Sequence, residues 1–270
     1  MKVFQTASVA GRTIWISIGV PSGVHTRSRA MKRNVTREQV RENNDRLAVR
    51  NLTLLLNENF DHTCCHYSLS YENEPSVEQA AKDRKDFIRR MKRAIPDLKY
   101  VAVTEYTNVR LHHHIVLNTT DVDLVEEIWG KGIVRPAVLS RSGEYSGLAD
   151  YLVKETNKTF RDPEGVHKHR WTASRNLKRP EFRRKEVSVR KLEEDPEPLK
   201  GYFIPSDKVR RYTHPVTGLE YLEYFMVAID KPRKVRLGGK KVAGKEYFKV
   251  DEEDEQEDVF ALLGMEEGEQ

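Results

Sequence analysis

The sequence predicts an α+β fold, because strand-like and helix-like segments alternate over residues 59–160 in the order strand, helix, strand, strand, helix, strand, helix. Short runs rich in β-branched and aromatic residues indicate the strands, and sequences of the capping-box type indicate where helices begin. The order βαββαβ is that of a ferredoxin-like core with a central antiparallel sheet, here followed by one more helix. We therefore expect such a core, with an N-terminal helical extension and a small β-rich C-terminal extension.

The N-terminal extension, residues 1–58, is expected to consist of an arm and a helix. The arm contains one strand-like run, Arg12–Ile18, and a basic loop at residues 25–33. A capping box at Thr36–Gln39 predicts the start of a helix that runs to about Asn57. The only two cysteines of the chain follow it side by side, a spacing that favours neither a disulfide nor a pair of metal ligands.

The core is expected to span residues 59–160. Its predicted elements are a strand at 62–71, a helix from Ser76 to Pro96, a hairpin at 99–118, a short helix ending at Gly130, an edge strand at 133–139 and a helix at 145–158. Pro96 and Gly130 are typical helix ends. The hairpin is expected to close at Asn108–Val109. Pro136 predicts that the strand containing it lies at a sheet edge or bulge.

Three consecutive histidines lie on the second strand of the hairpin. Side chains alternate along a strand, so His112 and His114 share one face, about 6–7 Å apart, and His113 points the other way. Closure at the expected turn puts Glu105 opposite His112, and a register shifted by two puts it opposite His114; both place the carboxylate on the imidazole face. Two imidazoles and one carboxylate leave open positions, which suits Mn²⁺ or Mg²⁺ acting on a phosphate. The alternative is a polar strand edge with Glu105 in solvent.

The helix predicted at residues 145–158 carries a candidate nucleophile. Its apolar arc would dock on the core and hold Tyr151 at the border, with Lys154 and Lys158 within about 60° of it around the helix. Nearby positive charge favours the phenolate and would also hold a phosphate. Tyr145 is a second candidate, about 240° round the helix. An ordinary amphipathic helix with a tyrosine at its border is the alternative interpretation.

The charge of the chain favours a nucleic-acid partner. The net charge is +5, but residues 251–270 hold ten acidic side chains and no basic one, so residues 1–250 carry 47 basic against 32 acidic side chains. We expect an acidic, disordered tail at 251–270 and a basic, β-rich extension at 161–250. Cations with an aromatic among them suit single-stranded DNA, although a solvated basic loop is the alternative. The candidate DNA-binding residues are Lys158, Arg170, Trp171, Arg175 and Lys178.

His-x-His on a strand, an acidic residue one strand earlier and Tyr-x-x-Lys on a helix about 37 residues later together resemble the HUH endonuclease superfamily. The resemblance is nearest to the single-tyrosine rolling-circle replication initiators of phages, plasmids and integrative elements. It implies that Glu105, His112 and His114 bind a divalent metal, that Tyr151 is the nucleophile, and that Lys154 stabilises the phosphate or the phenolate. It also implies nicking of single-stranded or origin DNA, which leaves a 5′-phosphotyrosyl enzyme and a free 3′-hydroxyl.

Other features of the sequence narrow the expected function. His113 departs from the family pattern, in which the middle position is normally hydrophobic. No GxxxxGK[ST] sequence occurs, so unwinding is expected to come from a separate host helicase and replication machinery. No apolar run approaches 18 residues and no signal peptide is evident, so no membrane association is expected, and the cytoplasm of the host cell is the expected compartment. The alternatives are a relaxase or transposase of the same superfamily, and a non-catalytic origin-binding regulatory protein.

Overall fold

The structure is a computed structural model that describes residues 2–20, 36–106, 109–160, 169–214, 218–230 and 238–242. The side chains of residues 158–160, among them Lys158, and of residue 242 lie outside this description. The predicted acidic tail, the basic loop at residues 25–33 and the turn residue Asn108 also lie outside the described residues. Those residues form an α+β fold, as predicted, with two antiparallel sheets and four α-helices.

The described elements form two compact units. The strands are β1 (Val3–Ala10), β2 (Thr13–Gly19), β3 (Cys65–Ser70), β4 (Tyr100–Glu105), β5 (His112–Leu117), β6 (Val134–Val138), β7 (Thr172–Ala173), β8 (Phe182–Val187), β9 (Tyr202–Phe203), β10 (Val209–Thr213), β11 (Glu220–Ala228) and β12 (Lys240–Val242). The helices are α1 (Arg37–Asn59), α2 (Val77–Ala94), α3 (Val122–Trp129) and α4 (Ser146–Phe160). We call Leu55–Lys178 the central unit, and Met1–Leu54 with Arg179–Gln270 the terminal unit.

The central unit is built on a five-stranded sheet in the order β6-β3-β5-β4-β7, in which every neighbouring pair is antiparallel. The first four of these strands come from the βαββαβ segment and alternate with α2 and α3 along the chain, which is the predicted ferredoxin-like pattern. β6 lies at one edge, as Pro136 predicted. At the other edge, Thr172 and Ala173 add a short strand, β7, that the sequence did not predict.

Local sequence explains where the helices of the central unit begin and end. The hydroxyl of Ser76 accepts a hydrogen bond of 3.2 Å from the backbone N–H three residues later, and α2 ends before Pro96. The side chain of Asp121 caps α3 in the same way, at 3.1 Å. Gly130 ends α3 with φ at +57°, a left-handed conformation that glycine adopts without steric cost.

The hydrophobic core of the central unit lies on one face of the sheet. α2 and α3 pack there with buried side chains that include Met91 and Trp129, and Ile115 of β5 meets them from the sheet. Because side chains alternate along a strand, the neighbours of Ile115 at one residue's distance point to the opposite face. That opposite face therefore carries His112 and His114.

The terminal unit contains a seven-stranded antiparallel sheet, with β10-β11-β2-β1-β8-β12 in consecutive order and β9 paired with β11. A reciprocal capping box begins α1, as predicted: Thr36 and Gln39 each donate a backbone N–H to the side chain of the other. Leu54 of α1 packs with Trp15 and Phe182 in a small buried cluster. None of the described helices is long and apolar enough to cross a membrane.

This second sheet joins the two ends of the chain, which the sequence did not predict. β1 pairs with β8 in a register that brings Val3 opposite Val187. β8 reads Phe-Arg-Arg-Lys-Glu-Val, and only Phe182 in it is fully buried. Such a strand is held by backbone hydrogen bonds and lacks the apolar alternation that reveals a strand in a sequence. The expected N-terminal arm and the expected β-rich extension therefore share one sheet.

Candidate active site

The hairpin of β4 and β5 brings two histidines and a glutamate together. Glu105 lies directly opposite His112 in the antiparallel register, and His114 lies two residues further along the same face. Nε2 of His112 lies 3.3 Å from a carboxylate oxygen of Glu105 and 3.0 Å from Nε2 of His114. One ligand atom from each of the three residues lies within 4.8 Å of the other two. This cluster could hold a metal ion, and its nitrogen and oxygen donors suit a divalent cation.

The other ring nitrogens of the two imidazoles are also engaged. Nδ1 of His112 donates a hydrogen bond of 2.8 Å to the carbonyl oxygen of Arg110. Nδ1 of His114 lies 3.1 Å from Nε2 of His66 on β3. With the proton of His112 on Nδ1, its Nε2 presents a lone pair to the cluster, as a metal ligand must.

Burial keeps the imidazoles of this region neutral. Burial, together with the neighbouring imidazoles of His66 and His112, lowers the pKa of His114 to about 3. Burial also lowers the pKa of His66 to about 4. Both rings are therefore neutral at pH 7, and the neutral imidazole is the form that binds a metal.

Helix α4 brings Tyr151 to the same cluster. Ala149, Leu152 and Val153 of this helix are buried, whereas Tyr151 is 41% exposed. The Tyr151 hydroxyl oxygen lies 3.3 Å from Nε2 of His114, and the two rings meet edge-on with their centroids 5.2 Å apart. The candidate nucleophile and the candidate metal ligands thus form one site, exposed enough for a polymer to reach.

The charges around Tyr151 differ from those that the sequence suggested. Burial raises the pKa of Tyr151, and the carboxylates of Glu155 and Glu105 raise it further. Nζ of Lys154 pairs with a carboxylate oxygen of Asp150 at 2.6 Å. The phenol is therefore protonated at neutral pH, and the expectation that neighbouring lysines favour the phenolate does not hold for the protein alone.

The second tyrosine candidate has a different environment. Tyr145 is buried just before α4, and its hydroxyl donates a hydrogen bond of 3.0 Å to the carbonyl oxygen of Ser140. Its backbone N–H donates to the side-chain oxygen of Asn57 at 2.9 Å. The Tyr145 hydroxyl thus belongs to the local packing of the helix start, whereas the Tyr151 hydroxyl faces the cluster.

An open groove of about 950 Å³ adjoins the cluster on the same face of the sheet. Ser70 lies opposite His112 across the strands, and Ser68 lies between His114 on one side and Arg135 on the other. The small serine side chains leave room above the sheet, and the arginine adds positive charge at its edge. The groove is also lined by Arg110 and by the exposed apolar side chains of Val109 and Ile133.

The predicted DNA-binding residues are not all at the surface. Arg170 is only 3% exposed, and its guanidinium donates to the side-chain oxygen of Asn157 in α4. Trp171 is half-buried, whereas Arg175 and Lys178 are exposed. Arg170 therefore ties the chain to the end of α4 and has little surface to offer a phosphate. The assignment of the exposed residues to DNA stays a prediction.

Three residues of this region were not singled out from the sequence: His66, Ser68 and Arg135. One signal was present, because the strand Cys65–Ser70 alternates between apolar and polar side chains, which puts His66, Ser68 and Ser70 on one face. That this polar face is also the face of the histidine pair follows only from the pairing of β3 with β5.

Comparison with the models of protein families finds a match for residues 64–160, to the family described as Replication-associated protein ORF2. The matched segment runs from the residue before β3 to the end of α4, and it includes Glu105, His112, His114 and Tyr151. Searches of curated proteins and of solved structures find no match. The segment that contains the candidate site is therefore similar to the replication-associated proteins of the ORF2 family, which is of the rolling-circle replication-initiator type.

Proposed function

We propose that this protein initiates rolling-circle DNA replication by nicking, and later rejoining, single-stranded DNA at an origin, with Tyr151 as the nucleophile. The observation that carries the proposal is the 3.3 Å separation between the Tyr151 hydroxyl oxygen and Nε2 of His114, inside a cluster completed by Glu105 and His112. The match of the surrounding segment to a family of replication-associated proteins supports the same reaction class.

Glu105, His112 and His114 are the residues that would hold a divalent cation, Mg²⁺ or Mn²⁺. The fit rests on chemistry that the residues themselves supply, because two neutral imidazoles and one carboxylate converge with their ligand atoms within 4.8 Å. A bound cation would polarise the scissile phosphate and offset its negative charge during displacement. Three protein ligands leave coordination positions for phosphate oxygens.

The proposed step is an in-line displacement at phosphorus. The Tyr151 oxygen forms a bond to the phosphorus, and the bond from phosphorus to the 3′ oxygen of the preceding nucleotide breaks. The phenol loses its proton during the attack, because its raised pKa keeps it protonated beforehand, and the leaving oxygen gains a proton to become a 3′-hydroxyl. The phosphate remains joined to Tyr151 and to the 5′ end of the following nucleotide.

The covalent link keeps the energy of the phosphodiester, so the same site can rejoin the strand when a 3′-hydroxyl attacks the phosphotyrosine. Lys154 would stabilise the phosphate. It would first have to leave Asp150, and this exchange is easy because the pair lies at the surface, where ion pairs contribute little stability. With one tyrosine at the cluster, a second cleavage needs another protomer, water or the freed hydroxyl.

The groove beside the cluster supplies a path for the strand. Arg135 can contact phosphates, and the exposed side chains of Val109 and Ile133 offer apolar surface to unstacked bases. Ser68 and Ser70 form a floor of small hydrogen-bonding side chains between these walls and the two imidazoles. This composition suits a single strand whose backbone approaches the metal ligands.

The test uses randomised single-stranded oligonucleotides, labelled at the 3′ end in one sample and at the 5′ end in another, incubated with the full-length protein and Mn²⁺. We expect the 3′ label to remain on the protein after denaturation, and the 5′ label to appear on a shortened free fragment. Tyr151→Phe should abolish the adduct and keep DNA binding, whereas Tyr145→Phe should retain the adduct. DNA binding without any adduct in the wild type would support the non-catalytic alternative, and an adduct in Tyr151→Phe would exclude Tyr151 as the nucleophile.

A further inference from the structure

Strand β3 contributes a third imidazole to the neighbourhood of the site. Nε2 of His66 lies 3.1 Å from Nδ1 of His114, and the two ring planes are inclined by only 27°. The ring centroids are 5.1 Å apart, about 2 Å more than the separation of the two nitrogens. The rings therefore meet edge to edge, with the two nitrogens facing each other, which is the geometry of a hydrogen bond between imidazoles.

The direction of this hydrogen bond follows from the other nitrogen of His114. A neutral imidazole carries one donor and one acceptor nitrogen. Nε2 of His114 faces Nε2 of His112 at 3.0 Å and the Tyr151 hydroxyl at 3.3 Å, so it must offer its lone pair to the cluster. The proton then lies on Nδ1 of His114, which donates to Nε2 of His66. His66 in turn holds its own proton on Nδ1.

We infer that His66 is a positioning residue of the metal centre: it accepts the Nδ1–H of His114 and so fixes the tautomer and the ring orientation of that ligand. The inference rests on the proposed function, which makes His114 a ligand. His112 receives the same support from the carbonyl oxygen of Arg110. Each candidate ligand imidazole thus has an acceptor behind it, one from the backbone and one from a side chain, and such partners tune metal affinity.

Two further observations favour positioning over direct ligation by His66. The mutually close ligand atoms are those of Glu105, His112 and His114, and His66 is not part of that described group. The Nε2 atom of His66 points to the far nitrogen of His114, which is not the one that faces the cluster. The His66 ring also meets the Tyr151 ring nearly perpendicularly, with centroids 6.5 Å apart, so it supports the nucleophile as well as the ligand.

The test compares His66→Ala, which removes the acceptor, with His66→Gln, whose amide oxygen can accept in its place. The exposed neighbour His62→Ala is the matched control. Mn²⁺ affinity is measured on the full chain by electron paramagnetic resonance, and thermal unfolding with a chelator present checks the fold. We expect His66→Ala to weaken Mn²⁺ binding by about 10- to 100-fold. His66→Gln should recover most of that affinity, and His62→Ala should bind as the wild type does.

A second readout needs no metal. Nitrogen chemical shifts of the metal-free wild type should show His114 protonated on Nδ1, and His66→Ala should convert it to a mixture of tautomers, whereas His66→Gln should keep the Nδ1–H form. Unchanged Mn²⁺ affinity in His66→Ala, or equal losses in the alanine and glutamine variants, would overturn the positioning role. A wild type that fails to bind Mn²⁺ would instead overturn the metal centre itself and the inference with it, so the two failures are distinguishable.

Discussion

The two faces of β5 hold histidines in contrasting environments. His113 is fully buried, and its two nitrogens lie 2.9 Å from the hydroxyl of Thr104 and 2.9 Å from the hydroxyl of Tyr71. His112 and His114 point to the other face, where their Nε2 atoms meet each other and the ligand cluster. The residue type is the same, and the alternation of the strand divides the three into one structural side chain and two candidate ligands.

The hydrogen bonds of His113 extend into the core of the central unit. The guanidinium of Arg84 in α2, itself almost fully buried, donates to the Thr104 hydroxyl at 2.7 Å. The His113 ring also meets the Trp129 ring perpendicularly, with centroids 5.7 Å apart. A polar residue at this normally hydrophobic position is therefore accommodated by hydrogen-bond partners from β4, α2 and the residue after β3, as buried polar groups require.

A histidine of the terminal unit shows what a lowered pKa does and does not indicate. Burial and the nearby charge of Arg46 lower the pKa of His214 to about 4, close to the value of about 3 for His114. Yet His214 packs against the Tyr221 ring at a centroid distance of 5.3 Å, and no other described histidine or acidic residue forms a ligand cluster with it. The lowered pKa reports burial, and the convergence of ligand atoms distinguishes the candidate site.

The largest expected effect comes from removing an imidazole on the cluster side. In His114→Ala, Mn²⁺ affinity should fall by more than about 100-fold, since even the loss of a partner behind a metal ligand costs about 10- to 100-fold. The protein–DNA adduct should disappear, while thermal unfolding of the metal-free protein changes little. Retained Mn²⁺ affinity, measured against the His62→Ala control, would show that the three-residue cluster is not a metal site.

Removing the imidazole on the core side should have the opposite pattern. His113→Ala leaves a cavity and two unpaired hydroxyls, so the free energy of unfolding should fall by about 3 kcal/mol. Urea unfolding followed by tryptophan fluorescence measures this loss, and Mn²⁺ affinity of the folded protein should stay within a few-fold of the wild type. A stable His113→Ala protein that no longer binds Mn²⁺ would remove the distinction between the two faces.

The buried histidine of the terminal unit predicts a pH dependence of stability. The folded-state pKa of His214, about 4, lies below the ordinary value of 6.5, so the unfolded chain takes up the proton first as the pH falls. The associated stability is fully present above pH 6.5 and is lost as the pH approaches 4. Between pH 7 and pH 4.5, His214→Gln should therefore lose about 2 kcal/mol less unfolding free energy than the wild type. Urea unfolding curves that shift in parallel over this range would contradict the assignment.

The smallest expected effect concerns the groove. Arg135→Ala should weaken binding of single-stranded DNA by a few-fold, and should reduce the dependence of log affinity on log salt by about 0.7, as expected for one lost phosphate contact. Fluorescence anisotropy in a Tyr151→Phe background measures binding without cleavage. Arg141→Ala, another exposed arginine after β6, is the matched control. Equal losses in both variants would indicate diffuse attraction and not a path through the groove.

Several features of the fold and the site were predictable because they depend on neighbours in the sequence. The caps at Ser76 and Asp121 and the edge position of Pro136 follow from local backbone chemistry. The pairing of Glu105 with His112 follows from a hairpin whose strands are joined by a few residues. In each case the partner lies close along the chain, so pattern and parity suffice.

Other features could not be predicted, because their partners are distant in sequence. β8 is mostly charged, and its pairing with β1 joins residues more than 170 positions apart. Arg170 reads as a DNA contact in a basic stretch, but it is buried against α4. His66 reads as an isolated histidine, and only the pairing of β3 with β5 brings it to His114.

The sequence by itself determined the α+β class, the βαββαβ order and the face on which Glu105, His112 and His114 converge, because helix caps, turns and strand alternation act over a few residues. The tertiary structure alone decided that the chain ends share a sheet, that Tyr151 lies 3.3 Å from His114, and that His66 stands behind that ligand. The physical reason is that packing and strand pairing between distant segments depend on the shape and hydrogen bonding of the whole unit, which no local pattern of side chains encodes.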